Sequence, residues 1–346
     1  MESGVTAAIT QRLSVTFSGR LPRWEITEKL SLNVSIPLVL TVFTFLTGLP
    51  SNLLAFYTFL VKVCQKPTPV DILLLNLTIS DISLFIFLPF RMVEAISDRA
   101  WTLPAFLCPL TSFFFYSSIY ISSLFLMAIS VDRYLGVAFP IKYKLQHCPA
   151  YVVATSVVFW VVTCAHCSIV YIVQYEVLSP NGTTTSNNLQ ILLPVRLEFF
   201  IILFCLPLTV IIFCYVNFVC ILVALPNIPA WRKQRTVGLA LATLFNFIVC
   251  FTPFNMSHVV GFVQNESPSW RVYTFLLSTL NASLDPAIFY FSSTAVQRAF
   301  TNCLAGLWNK HSTILSRCHL PSFTRCEEGG REVEVTSGME AEELMT

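Results

Sequence analysis

Charge is scarce in this sequence. Only 12% of its 346 residues are charged, against about 25% in a typical soluble domain, and 55% are hydrophobic with a mean hydropathy of +0.69. So much apolar surface needs lipid against it, which excludes an ordinary soluble globular domain. A net charge of +2 leaves nucleic acid without the basic footprint it requires. Neither His-Glu-x-x-His nor Gly-x-Ser-x-Gly occurs, so no familiar hydrolase signature is present, and the chain is not expected to be an enzyme or to carry a cofactor. No lysine lies between Val272 and Phe291, which excludes a retinal Schiff base in the last apolar stretch. No internal repeat of the kind that marks many carboxylate transporters is found either. A transporter remains the rival from another class, because it too needs cations within the membrane.

What is present is a set of seven apolar stretches, each near the roughly 20 residues that cross a bilayer. They run from Ile36 to Val61, Val70 to Ile96, Phe106 to Ile129, Val152 to Val173, Ile191 to Leu225, Val237 to Val263 and Val272 to Phe291. The expected architecture is an all-α membrane protein, a seven-transmembrane helix bundle with a short amphipathic eighth helix. Its parts are an N-terminal segment over 1–35, a bundle over 36–292, the amphipathic helix over 293–310 and a disordered tail over 311–346. No cleavable signal precedes the first span, which is expected to serve as its own insertion signal.

Orientation follows from short-loop lysine and arginine, which accumulate on the cytoplasmic side. The first, third and fifth loops hold Lys62, Lys66, Arg133, Lys142, Lys144, Arg232, Lys233 and Arg235, whereas the alternate loops hold Arg99 and Arg271. The N-terminus is therefore expected outside the plasma membrane and the C-terminus inside. Asn33 and Asn181 then head outward-facing glycosylation sequons. Most of the twelve cysteines lie in spans or in the tail, where they read as small hydrophobes or reduced thiols. Cys303, Cys318 and Cys326 are candidates for palmitoylation. The acidic tail carries the exposed hydroxyls of Thr336 and Ser337.

Charges within spans are costly and mark either function or mutual pairing. Arg91 and Glu94, three apart on one helix face, read as a pair. Arg196 and Glu198 are two apart and do not face each other. Arg196, His258 and Arg271 fall at a similar, outward depth, with His166, Gln174 and Tyr116 in the same half. On residues alone, the two arginines are either lipid-headgroup anchors or ligand-binding cations. His166 is either a helix-packing hydrogen bonder or a ligand contact. A short carboxylate would suit two guanidinium groups, whose parallel donors match its two oxygens and whose charge is permanent.

Asn52 after Gly48-Leu49-Pro50, Leu75-Asn76-Leu77 with Ser80-Asp81, Cys108, Asp132-Arg133-Tyr134, Trp160, Pro207, Tyr215, Cys250-Phe251-Thr252-Pro253 and Asp285-Pro286 follow one another in a known order. That order and spacing resemble the rhodopsin-like G-protein-coupled receptors. More narrowly, Phe90 to Ala95, Ala165-His166-Cys167, Leu192 to Glu198, Asn255 to Gly261 and Glu266 to Arg271 resemble the free fatty acid receptors, with the short-chain types the nearest match.

The resemblance implies a receptor activated by acetate, propionate or butyrate, or by a longer or hydroxylated carboxylic acid, with Arg196, Arg271, His258, Tyr116, His166 and Gln174 around the ligand. It implies an activation switch at Asp132, Arg133, Tyr134, Tyr215, Phe251, Pro253, Asp285 and Pro286. In that switch Arg133 leaves Asp132 for Tyr215 as the sixth span moves outward. A sodium ion at Asp81, Ser122, Asn281 and Asp285 is implied, though the same residues could instead join helices through water. Inhibitory and phospholipase-linked heterotrimeric G proteins, arrestin, receptor kinases and membrane lipid are the implied partners. Two departures stand out. Residues 175–190 contain no cysteine to pair with Cys108, and the usual Asn-Pro-x-x-Tyr reads Asp285-Pro286-Ala287-Ile288-Phe289 followed by Tyr290.

Overall fold

The computed structural model describes residues 23–97, 101, 103–146, 149–178, 185–226, 229–292, 296–303 and 305–306, and no strand occurs among them. The side chains of some helical residues, Asn33, Gln174 and Arg232 included, lie outside the description, as do Asn181 and the tail residues Cys318, Cys326, Thr336 and Ser337. The helices are α1 (Arg23–Gln65), α2 (Pro69–Ile96), α3 (Leu107–Ala138), α4 (Pro140–Gln146), α5 (Pro149–Leu178), α6 (Thr185–Glu198), α7 (Leu206–Ala224), α8 (Ala230–Gln264) and α9 (Arg271–Ser292), with a π-helical stretch, Phe199–Cys205, between α6 and α7. A compact unit runs through Phe300 and holds all of these; a second unit starts at Thr301.

Among the described residues six helices are long and apolar enough to cross a membrane. The expected seventh, α9, has 22 residues, about 33 Å of helix, but it carries Arg271, Asn281 and Asp285, and the last two are buried. Its polar groups face protein, which lowers its apolarity without removing it from the bundle. Helix α1 begins at Arg23 rather than Ile36, because a helix can continue past the apolar slab that hydropathy detects.

Helix α3 is the most buried span, and α1 and α5 the least. Without a hydrophobic drive between helices in lipid, polar side chains and small residues bind them. Asn52 donates to the Ala282 carbonyl at 2.7 Å, joining first and seventh spans, and Trp160 donates to Asn76 at 3.1 Å, joining fourth and second. Ser283 donates to the Thr44 carbonyl and Ser278 to the Cys250 carbonyl.

Pro207 explains the π stretch. A proline ring clashes with the carbonyl four residues back and offers it no N–H. Widening the preceding turn relieves this, and the Leu206 N–H accordingly bonds the Ile201 carbonyl five residues back. Such a turn rotates the helix by an amount that hydrophobic periodicity does not reveal. It sits directly after Arg196 and Glu198.

Residues 296–303 and 305–306 are helical, within the stretch expected as an eighth helix; Val296 is buried, and Phe300 meets Tyr290 edge-on at 5.8 Å.

Candidate functional site

Arg196 is buried, with 9% of its surface exposed, so it does not project into lipid as a headgroup anchor would. Its Nη1 donates to the Ser267 hydroxyl at 2.9 Å. Arg271, at the start of α9, is half-buried. Its Nη1 donates to Ser257 at 3.1 Å and to His258 Nδ1 at 3.0 Å, and its Nη2 reaches the Tyr116 hydroxyl at 3.4 Å. The guanidinium carbon lies 4.8 Å over the Phe254 ring, a favourable cation–π placement. The two arginines are linked through the loop over 265–270, whose Ser267 accepts from Arg196 and whose Pro268 carbonyl accepts from the Arg271 amide.

The role of His258 follows from its neighbours. An arginine N–H can only donate, so Nδ1, which faces Arg271, must accept. The hydrogen of the neutral ring then sits on Nε2, which lies 2.8 Å from the Tyr120 hydroxyl oxygen and donates to it. His258 is fully buried and bridges Arg271 and Tyr120.

A buried and a half-buried cation without an acid are costly to keep. Among the described residues neither Arg196 nor Arg271 forms an ion pair with a carboxylate; the pairs found are Lys62 with Asp71, Arg91 with Glu94 and His166 with Glu198. An anion arriving between them would supply the missing charge. Beside Arg271, Tyr116, Phe254, Phe275 and Phe115 form an aromatic wall with ring centroids 5.3 to 6.2 Å apart.

His166 is placed differently. Its Nε2 pairs with Glu198 at 3.2 Å and its Nδ1 lies 2.8 Å from the Val162 carbonyl. It joins fourth and fifth spans and packs edge-on against Phe199, which also packs on Tyr120. Arg91 pairs with Glu94 at 2.7 Å as its spacing suggests, and also donates to Ser112 and stacks over Phe115 and Phe275. Sequence reasoning missed Tyr120, Ser257 and Ser267. Tyr120 lies one helical turn from Tyr116, a detectable signal, but nothing local marks Ser267.

A second polar cluster lies deeper. Asp81 is fully buried, and neither of its carboxylate oxygens makes a hydrogen bond of good geometry, although the Ser122 hydroxyl lies alongside. Asn246 donates to Asn281 and Asn281 to Asp285, both at 2.8 Å, which leaves Asp285 Oδ1 and Asn52 Oδ1 without a donor. Buried acceptor oxygens in excess of donors fit a hard monovalent cation. Among the described residues no group of three or more His, Cys, Asp or Glu is suited to a metal.

At the opposite end of the bundle, the Tyr143 hydroxyl donates to both carboxylate oxygens of Asp132, at 3.0 and 3.1 Å. A cavity of about 540 Å³ opens there, lined by Asp132, Arg133, Tyr143, Trp231, Arg235 and Phe291 among others. Tyr215 is buried and lies within the field of Arg133. Tyr134 meets Phe139 and Phe213 edge-on. Phe251 is buried against Phe247, with ring centroids 5.0 Å apart. Pro253 and Pro286 interrupt α8 and α9 internally. Phe289, where a switch tyrosine is usual, is buried edge-on against Phe59. Cys108 carries a free thiol.

The pattern of 7-transmembrane receptors of the rhodopsin family matches residues 51–289. Free fatty acid receptor 2 of Mus musculus is 48% identical over 325 residues, covering 90% of this chain and 98% of its own. The chain belongs to the free fatty acid receptors, within the rhodopsin family. Free fatty acid receptor 3 of Homo sapiens is 46% identical over 280 residues, 77% of this chain and 80% of its own, and free fatty acid receptor 1 of Mesocricetus auratus is 31% identical over 280 residues, 75% and 92%. The protein is thus a multi-pass membrane receptor and not an enzyme. As a G-protein-coupled receptor it takes a small-molecule ligand and acts on G proteins.

Proposed function

We propose that this receptor is activated by short-chain carboxylates, acetate, propionate and butyrate, and signals through inhibitory and phospholipase-linked heterotrimeric G proteins, with its N-terminus outside the plasma membrane. The observation that carries this reading is a pair of arginines from two spans, Arg196 buried and bonded to Ser267 and Arg271 bonded to His258 and Tyr116, neither of which has an acidic partner among the described residues. A carboxylate offers each guanidinium an oxygen. Since a buried methylene contributes only about 0.8 kcal/mol, a short acid gains little from its tail and charge must dominate its affinity. The aromatic wall of Tyr116, Phe254, Phe275 and Phe115 limits the tail.

Binding shifts the receptor only by its differential affinity for two states. Arg196 lies on the fifth span and Arg271 on the seventh, so one carboxylate held by both favours whichever state brings them closer. Asp81, Ser122, Asn281 and Asp285 would hold a sodium ion that favours the resting state; the ion would supply positive charge to the buried carboxylates. Asp132, Arg133 and Tyr215 would relay the change to the cleft where a G protein docks, with arrestin and receptor kinases as further partners.

The test is nucleotide exchange on a purified G protein, with the straight-chain acids from acetate to octanoate, for wild type, Arg196→Ala and Arg271→Ala. Responses confined to the short acids and abolished by both substitutions are expected. A peak at octanoate would assign a longer ligand, and an undiminished response in both variants would overturn the site.

A further inference from the structure

The two arginines reach the site from different spans, and the six-residue link between the sixth and seventh spans touches both. Asn265 ends α8 in the left-handed region, with φ 57°, a conformation that asparagine tolerates better than most residues. The amides of Asn265 and Glu266 both return to the Gly261 carbonyl. Gly261 itself is the seat of this fold-back. A Cβ there would lie 3.1 Å from the Glu266 carbonyl oxygen, 3.4 Å from Pro268 Cδ and 3.8 Å from Leu193 on the fifth span. The loop is thereby pressed onto the end of α8 beside the fifth span. Within it, Ser267 accepts from Arg196; the Pro268 carbonyl then accepts from the Arg271 amide at 3.1 Å, which starts α9.

We infer that Ser267 is a positioning residue for carboxylate recognition: its hydroxyl holds the Arg196 side chain toward Arg271, so that the loop over 265–270 sets the spacing of the two cations. Arginine carries five N–H donors, and one bond from Nη1 to Ser267 leaves donors for a ligand. A long, flexible side chain held in advance loses less rotamer freedom on binding. The loop serves as a clamp. Its serine does not touch the ligand, and its contribution is geometric. This inference rests on the carboxylate reading above.

The experiment measures propionate-driven nucleotide exchange for Ser267→Ala and Ser267→Thr, alone and on an Arg196→Lys background, with surface abundance of each variant. Ser267 is exposed, so the alanine form is expected at the surface at wild-type level. Ser267→Ala should lose about three- to tenfold in potency, the scale of one hydrogen bond at such a site, with an unchanged maximal response. Threonine, which keeps the hydroxyl, should restore most of it, and on the Arg196→Lys background the alanine change should add little. Alanine potency equal to or better than wild type, or losses that simply multiply in the double variant, would overturn the inference while leaving the carboxylate site standing. If Arg196→Ala and Arg271→Ala respond normally, it is the site itself that fails.

Discussion

His258 Nδ1 accepts a hydrogen bond from Arg271 at 3.0 Å, and this fixes which nitrogen of the ring carries its hydrogen. Replacing His258 by Ala removes that acceptor and leaves the guanidinium less constrained over Phe254. Because hydrogen bonds to charged groups contribute about 1.5 to 3 kcal/mol, propionate potency should fall about ten- to a hundredfold. Tyr120→Phe should act in the same direction, by about fivefold or more, since it strands the buried Nε2–H without an acceptor. A Tyr120→Phe receptor with wild-type potency would show that the Tyr120 bond to His258 does not help to hold Arg271 in place.

Arginine and lysine are not equivalent at this site. A guanidinium presents parallel donors to a carboxylate and keeps its charge, whereas an ammonium offers a point charge that burial readily neutralises. Arg196→Lys and Arg271→Lys should each lose at least tenfold in propionate potency at equal surface abundance. Wild-type dose–response curves for both would argue that only net charge matters, and that the arginine geometry is incidental.

How far the sequence alone reaches differs between these elements. The spans are legible, because hydropathy and helical rise act over many residues. Pairing of Arg91 with Glu94 is legible too, being local to one helix face. The contact of Arg196 with Ser267 is not, since it joins residues from separate spans through a loop whose path depends on Gly261 and Asn265. Nor is the π stretch after Glu198, which changes the direction of side chains without changing composition. His166 shows the limit most clearly: its sequence position allows either a helix-packing hydrogen bond or a ligand contact, and only the three-dimensional arrangement shows its nitrogens beside Glu198 and a main-chain carbonyl.

Gly48 packs where no side chain fits. A Cβ there would come within 2.2 Å of Phe85 Cζ and 2.6 Å of Ser283 Oγ, closer than van der Waals contact allows. Overpacking of this kind costs about 1 to 3 kcal/mol. Gly48→Ala should lower the thermal stability of detergent-solubilised receptor, and Phe85→Leu in the same chain should recover part of the loss. Unchanged stability for the single variant would mean that the first span can shift freely against the second and seventh.

Tyr143 anchors the short helix α4 to the third span through Asp132. Burial, the Asp132 carboxylate and the hydrogen bond between them push the phenol above its ordinary range, so it remains a donor at physiological pH. With the folded value raised, the associated stability is complete below the ordinary tyrosine value near 10 and is lost only as pH climbs beyond it. Tyr143→Phe removes the donor at every pH. Amide exchange across residues 140–146 should then speed up about two- to tenfold near neutral pH, as expected for one lost hydrogen bond, whereas exchange in the middle of α3 should not change.

Asp81 and Asp285 give the receptor a sodium test that does not depend on the identity of its ligand. Anything that binds one state alone stabilises it by RT ln(1 + [L]/Kd). With sodium at ten times its dissociation constant for the resting state, the resting population is favoured by about elevenfold. Replacing sodium chloride by choline chloride at constant ionic strength should therefore raise both basal nucleotide exchange and propionate potency, by up to about tenfold. Asp81→Asn removes one of the carboxylates whose oxygens lack donors, and its responses should no longer depend on which cation is present. If wild-type potency is the same in both salts, these buried oxygens are satisfied by water or by a shared proton, and the cluster joins helices without sensing an ion.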